Sequence, residues 1–145
     1  MIYFDTSFLA PLVLLEATSD EVAALFGQLD ALQFAVSYWT VVEFASLVAR
    51  EVRMGGLDAA AAAKADLRFE ALVYGSFTVL LPSAEDFVLA KRYLGRFDTG
   101  LRSGNALHLA IAKNHGAGTI YSLDRGLLKA GDLLGLPVRR GIETT

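Results

Sequence analysis

The chain has 145 residues, 54% of them hydrophobic, and a mean hydropathy of +0.43; this suits one domain, residues 1–145, with a sizeable core, and excludes a disordered polypeptide. No cysteine is present, which excludes a disulfide framework, a thiolate metal centre and a cysteine nucleophile. The formal net charge of −3 argues against binding nucleic acid through bulk positive charge, yet it is compatible with a carboxylate centre whose bound cations reverse the local field.

Residues 2–4 read as a short strand ending at Asp5, and Thr6 and Ser7 offer hydroxyls to cap a helix over 8–16, with Pro11 in its first turn. The apolar run at 8–15 has no basic cluster before it, and no stretch reaches the roughly 18–20 apolar residues of a membrane span. A cytoplasmic protein without a membrane segment is therefore expected. A second helix start lies at 18–21, followed by Val22, Leu25, Phe26 and Leu29 at helical spacing. Residues 34–36 form a second strand candidate. Helices are expected over 39–54 and 57–74, separated by Gly55-Gly56 and paired as an antiparallel hairpin.

A third strand over 77–81 ends before Pro82. The following helix starts at 83–85 with an imperfect capping box and runs to about residue 97. Residues 98–104 read as a polar turn, 105–115 as a helix, 119–122 as a fourth strand, 124–134 as a short helix and 137–138 as the start of a last strand. Strands alternating with helices predict an α/β layer fold with a mainly parallel sheet.

In such sheets ligands bind beyond the carboxyl ends of the strands. Asp5 and Asp124 each follow a hydrophobic strand and precede a helix, so both belong on that edge. Glu43 lies near the start of the helix after the second strand, among almost wholly apolar neighbours, where a carboxylate is costly to bury without a partner. Each acid alone also reads as a helix cap or a first-turn acid favoured by the helix dipole. Three on one sheet edge point to a shared cation. Hard oxygen donors with only two histidines favour Mg²⁺ or Mn²⁺ over Zn²⁺, and such sites serve phosphoryl chemistry.

The residues that carry this pattern are Asp5-Thr6-Ser7, Glu43, the run from Leu101 to Ala110 (LRSGNALHLA), and Ser122-Leu123-Asp124-Arg125-Gly126-Leu127. In this order they resemble the PIN-domain VapC toxins over nearly the whole chain. The resemblance implies a three-layer α/β/α sandwich with a mainly parallel central sheet. It also implies a Mg²⁺- or Mn²⁺-dependent endoribonuclease leaving a 5′-phosphate and a 3′-hydroxyl. The partners implied are a second copy of the chain, an RNA substrate and a VapB-like antitoxin whose C-terminal segment fills the active-site groove. The acidic cluster of the family maps to Asp5, Glu43, Asn105 and Asp124, and Thr6 or Ser7 matches the hydroxyl near the first acid. Ser122 joins them on the substrate side, and Arg102 meets either a phosphate or solvent.

One position departs from the family motif, which has aspartate where this chain has Asn105. An amide oxygen can ligate a cation, but it carries no charge and accepts no proton. The resemblance thus implies a weakened or silenced enzyme. A catalytically inactive interaction or RNA-binding module is the alternative, and Asn105 also reads as a plain helix N-cap. His108 reads as a hydrogen-bonded core histidine in preference to a ligand. A nucleotide-binding Rossmann fold fails for want of glycines after the first strand. A haloacid-dehalogenase-type phosphatase fails because Ser7 stands where a second aspartate is needed. For assembly, the hairpin residues Val41, Val42, Phe44, Leu67, Phe69 and Leu72 are the candidate docking surface.

Overall fold

Ile2–Phe4 (β1) lies at the centre of a five-stranded sheet in the computed structural model, between Phe34–Ser37 (β2) and Thr119–Tyr121 (β4), with Thr78–Leu80 (β3) and Val138–Arg139 (β5) at the edges. Residues 1–143 are described; Thr144 and Thr145, the end of the expected domain, lie outside the described residues. The strand order is β3-β2-β1-β4-β5 and all four pairings are parallel. Chain order therefore reverses between β1 and β4. At such a switch point two neighbouring loops leave the sheet in opposite directions and open a crevice at the carboxyl edge.

Alternation along the strands divides the core into two layers. Phe4, Phe34, Val36 and Tyr121 point to one face, where Phe8 of Thr6–Leu9 (α1), Val22 of Ser19–Phe26 (α2), Phe44 and Val48 of Tyr38–Arg53 (α3), and Phe69 of Ala59–Ser76 (α4) cover them. Tyr3 and Ile120 point to the other face, under Ala90 of Ala84–Leu94 (α5), Leu109 and Ile111 of Ser103–Asn114 (α6), and Leu127 of Arg125–Leu133 (α7). The result is the expected three-layer α/β/α sandwich. Phe44 and Phe69 are fully buried and stack at a centroid distance of 3.9 Å, which locks the α3–α4 hairpin together. Each such burial contributes roughly 1.5–3 kcal/mol. No helix among the described residues is long and apolar enough to cross a membrane.

Three local expectations change. The helix expected over 8–16 is only α1, continued by a 3-10 turn over Ala10–Leu12. Pro11 has no N–H to give and its ring crowds the preceding turn, so the α-helix stops before it. Its cap is Asp5, whose Oδ1 accepts from the Phe8 N–H at 3.1 Å, while Thr6 and Ser7 are already helical. The capping box of α5 closes on Asp86: the Ser83 N–H donates to Asp86 Oδ2 at 2.8 Å, and the Asp86 N–H donates to Ser83 Oγ at 3.4 Å. Finally, α6 begins at Ser103 with Arg102 in the N-cap position. Asn105 is thus inside the first turn and is not the cap.

Candidate active site

The register of the sheet brings the first site residues together. Phe4 pairs with Tyr121, so the next residues, Asp5 and Ser122, leave the sheet side by side at the switch point. The Asp5 N–H donates to the Tyr121 carbonyl at 3.2 Å. The Asp5 side chain is 2% exposed. Its Oδ1 accepts from Ser7 Oγ at 2.7 Å as well as from the Phe8 N–H, and its Oδ2 accepts from Ser122 Oγ at 2.6 Å. Ser122 Oγ in turn accepts from the Asp124 N–H at 3.0 Å, and Ser7 Oγ accepts from the Leu123 N–H at 2.9 Å. Four of the residues singled out by sequence, Asp5, Ser7, Ser122 and Asp124, thereby form one network. Asp124 is half-buried, and its Oδ1 caps α7 through the Leu127 N–H at 2.9 Å.

A second network adjoins it through Thr6. The Thr6 hydroxyl donates to Glu43 Oε1 at 2.6 Å. His108 Nε2, one turn beyond Asn105 on α6, meets the same oxygen in a short contact. The other ring nitrogen, Nδ1, lies 2.7 Å from the Tyr3 hydroxyl, which is 2.9 Å from Ser37 Oγ. Glu43 Oε2 accepts no hydrogen bond among the described residues and belongs to a side chain that is 26% exposed. Beside it lies Gly104, where a Cβ would stand 2.9 Å from Oε2 and 3.4 Å from the Trp39 ring. The Trp39 indole N–H donates to the Gly104 carbonyl at 3.2 Å, which holds α3 against the start of α6. On the far side of Gly104, Trp39, Phe87, Leu94, Leu107 and Lys91 line an apolar cleft of about 310 Å³. Arg102 is exposed, and Asn105 is half-buried with its side chain in no hydrogen bond among the described residues.

The two buried acids are displaced in opposite directions. Burial pushes the Asp5 carboxyl up, and attraction to His108 with hydrogen bonds from Ser122, Ser7 and the Phe8 N–H only partly opposes it. Burial also pushes Glu43 up, but the hydrogen bond and attraction from His108, with the Thr6 hydroxyl, hold it below the usual glutamate range.

The oxygen donors suit a hard cation in kind. Asp5 is a desolvated carboxylate with no salt bridge among the described residues, and Glu43 Oε2 is an open carboxylate oxygen in a gap that a Cβ at position 104 would fill. In number the set falls short: among the described residues no three Asp, Glu or His side chains converge as a ready cation cage. Sequence reasoning did not find Tyr3, Gly104 or Trp39 as members of the site. The spacing of His108 three residues after Asn105 is the signal that could have tied it to Glu43.

The sequence profile of the PIN domain matches residues 2–133. No curated protein sequence matches the chain. Among solved structures, the chain is similar to VapC20 of Mycobacterium tuberculosis, described as a Sarcin-Ricin loop cleaving toxin, at a TM-score of 0.72 and 21% identity, covering 90% of this chain and 95% of that one. It is also similar to FitAcB from Neisseria gonorrhoeae, at a TM-score of 0.76 and 20% identity over 97% and 98% of the two chains. A third similarity is to VapBC-1 from nontypeable Haemophilus influenzae, at a TM-score of 0.69 and 14% identity over 97% and 98%. At these identities the structures speak for the fold, whereas the profile spans nearly all of the sequence, and the chain belongs to the PIN domain family.

Proposed function

We propose that the chain is a metal-dependent endoribonuclease, the toxin of a toxin–antitoxin pair, acting on RNA in the cytoplasm. The observation that carries this reading is the burial of Asp5 at the switch point of the parallel sheet, with Glu43 alongside and hydroxyls directed at both. Asp5, Glu43 and Asp124 are the residues to hold Mg²⁺ or Mn²⁺, with the amide oxygen of Asn105 as a weak fourth donor. A bound divalent ion supplies polarisation of the scissile phosphate and a hydroxide derived from water at neutral pH. The protein groups prepare for that chemistry. Ser7 and Ser122 fix the Asp5 carboxylate, Thr6 and His108 fix Glu43, and Arg102, exposed at the start of α6, is the residue placed to meet a phosphate.

The apolar cleft beside Gly104 supports an antitoxin segment that lays apolar side chains next to the acids. The solved relatives include toxin–antitoxin complexes, VapBC-1 among them, and we extend that pairing, together with homodimer formation, to this chain. The deciding experiment is RNA digestion with Mg²⁺ or Mn²⁺, with a chelator control, for the chain and for Asn105→Asp. Cleavage that persists in chelator overturns the metal mechanism. The shortfall of converging acids favours one second reading, a catalytically silent PIN-domain module that binds RNA or protein. Binding of RNA without cleavage, by both the chain and Asn105→Asp, is its signature.

A further inference from the structure

Tyr3 lies on β1 with its ring on the α6 face of the sheet, and it is wholly buried. A buried phenol needs a partner, and this one has two, Ser37 Oγ at 2.9 Å and His108 Nδ1 at 2.7 Å. His108, 1% exposed, presents Nε2 to Glu43 Oε1. An ionised carboxylate only accepts hydrogen bonds, so Nε2 must carry a hydrogen. The hydrogen-bonded chain runs from Ser37 through Tyr3 and His108 to Glu43.

We propose that Tyr3 and His108 are positioning residues of the site: Tyr3 braces the imidazole at Nδ1, and His108 holds Glu43 with Oε1 turned inward and Oε2 presented past Gly104. The inference rests on the reading of Glu43 as a cation ligand for its purpose, though not for its geometry. Thr6 and His108 together saturate Oε1, which leaves Glu43 a single outward oxygen and makes it a one-oxygen ligand. Without that clamp, the part-buried Glu43 side chain would sample several rotamers. The absence of a side chain at Gly104 is the complementary half of the arrangement, because a Cβ would stand in the way of Oε2. Partners of this outer kind commonly change metal affinity by about 10–100-fold.

The test combines NMR on the metal-free full chain with Mn²⁺ calorimetry. The chain has two histidines, so His108→Gln assigns the ring nitrogens of His108. A hydrogen on Nε2, bonded to Glu43, is expected; a ring that carries its hydrogen on Nδ1 alone overturns the proposal. Mn²⁺ affinity should fall by about 10–100-fold in His108→Phe. It should recover largely in His108→Gln, whose amide N–H reaches the same oxygen. A loss in His108→Phe that His108→Gln does not rescue, in a protein that melts as the parent does, marks a purely structural role and overturns it too. Tyr3→Phe, which removes only the hydroxyl, should weaken Mn²⁺ binding less than His108→Phe does; equal binding in the parent and His108→Phe overturns the clamp. If the parent binds no Mn²⁺, the cation reading fails by itself. The carboxyl-carbon resonance of Glu43 then decides: a shift in His108→Phe that His108→Gln restores supports the clamp, and an unmoved resonance overturns it.

Discussion

Ser122 Oγ donates to Asp5 Oδ2 at 2.6 Å across the switch point between β1 and β4. This bond satisfies a carboxylate that burial makes costly to ionise, and it does so with a neutral donor; together with the attraction of His108 it only partly offsets that cost. Asp5→Asn should therefore separate stability from function. The metal-free variant is expected to melt at or above the parent temperature. Its Mn²⁺ affinity should fall by more than the roughly 10–100-fold that loss of an outer partner costs, whereas the exposed-acid control Glu143→Gln should bind as the parent does. Calorimetry and a thermal melt check both halves, and equal cation affinity in the two variants removes Asp5 from the site.

Asn105→Asp should raise metal-dependent RNA cleavage on the order of 10²-fold, because groups of a concerted site act together and the missing charge is restored. The side chain is half-buried in the first turn of α6, where the helix dipole also favours an acid. Growth arrest on expression of the aspartate form, and not of the parent, is the cellular counterpart. No gain in either assay places residue 105 outside the catalytic cluster.

Gly104→Ala should leave the fold intact, since alanine is the better helix former by roughly 0.8–1 kcal/mol. It should nevertheless weaken Mn²⁺ binding, because the new Cβ would press on Glu43 Oε2. A stable variant with unchanged affinity would show that Oε2 is not the ligating oxygen.

Phe44 and Phe69 bear on stability and are withdrawn from the docking surface expected on the hairpin, since both are fully buried in their mutual stack. Phe44→Ala should cost about 3–5 kcal/mol in urea unfolding. A loss below about 1 kcal/mol, the scale of a surface change, would contradict the stack as an anchor of the hairpin.

Of the hairpin residues expected to dock, Val42 and Leu67 are the exposed ones, at 57% and 68%. The chain should sediment as a dimer at micromolar concentration, and Val42→Asp should shift it towards monomer. A monomer-only profile for the parent counts against the dimer; a dimer untouched by Val42→Asp moves the interface off this face.

The sheet and its helical layers were legible because hydrophobic strands alternate with amphipathic helices, and Asp5 and Asp124 were legible because each ends such a strand. What sequence spacing did not convey is pairing across the fold. Nothing local to Tyr3 announces that its hydroxyl meets His108, because a tyrosine in an apolar strand reads as core. Gly104 read as part of a polar turn, since its meaning lies in a carboxylate brought from α3. Helix starts were misplaced at α1, where Asp5 caps in place of Thr6 and Ser7, and at α6, whose N-cap Arg102 lies three residues before Asn105 and makes no side-chain hydrogen bond that would mark it.

The position of β4 beside β1 also sets when the site comes into being during synthesis. Asp5 leaves the ribosome well ahead of its hydroxyl partner Ser122, which lies 117 residues later in the chain. A nascent polypeptide that has emerged only as far as α6 has Tyr3 and His108 available but lacks β4 and, just after it, Ser122 and Asp124. Any chain truncated before Tyr121 is therefore unable to close the Asp5 network, whatever else of the fold it attains. Assembly of the acid cluster therefore waits on the synthesis of β4 and of the residues that follow it.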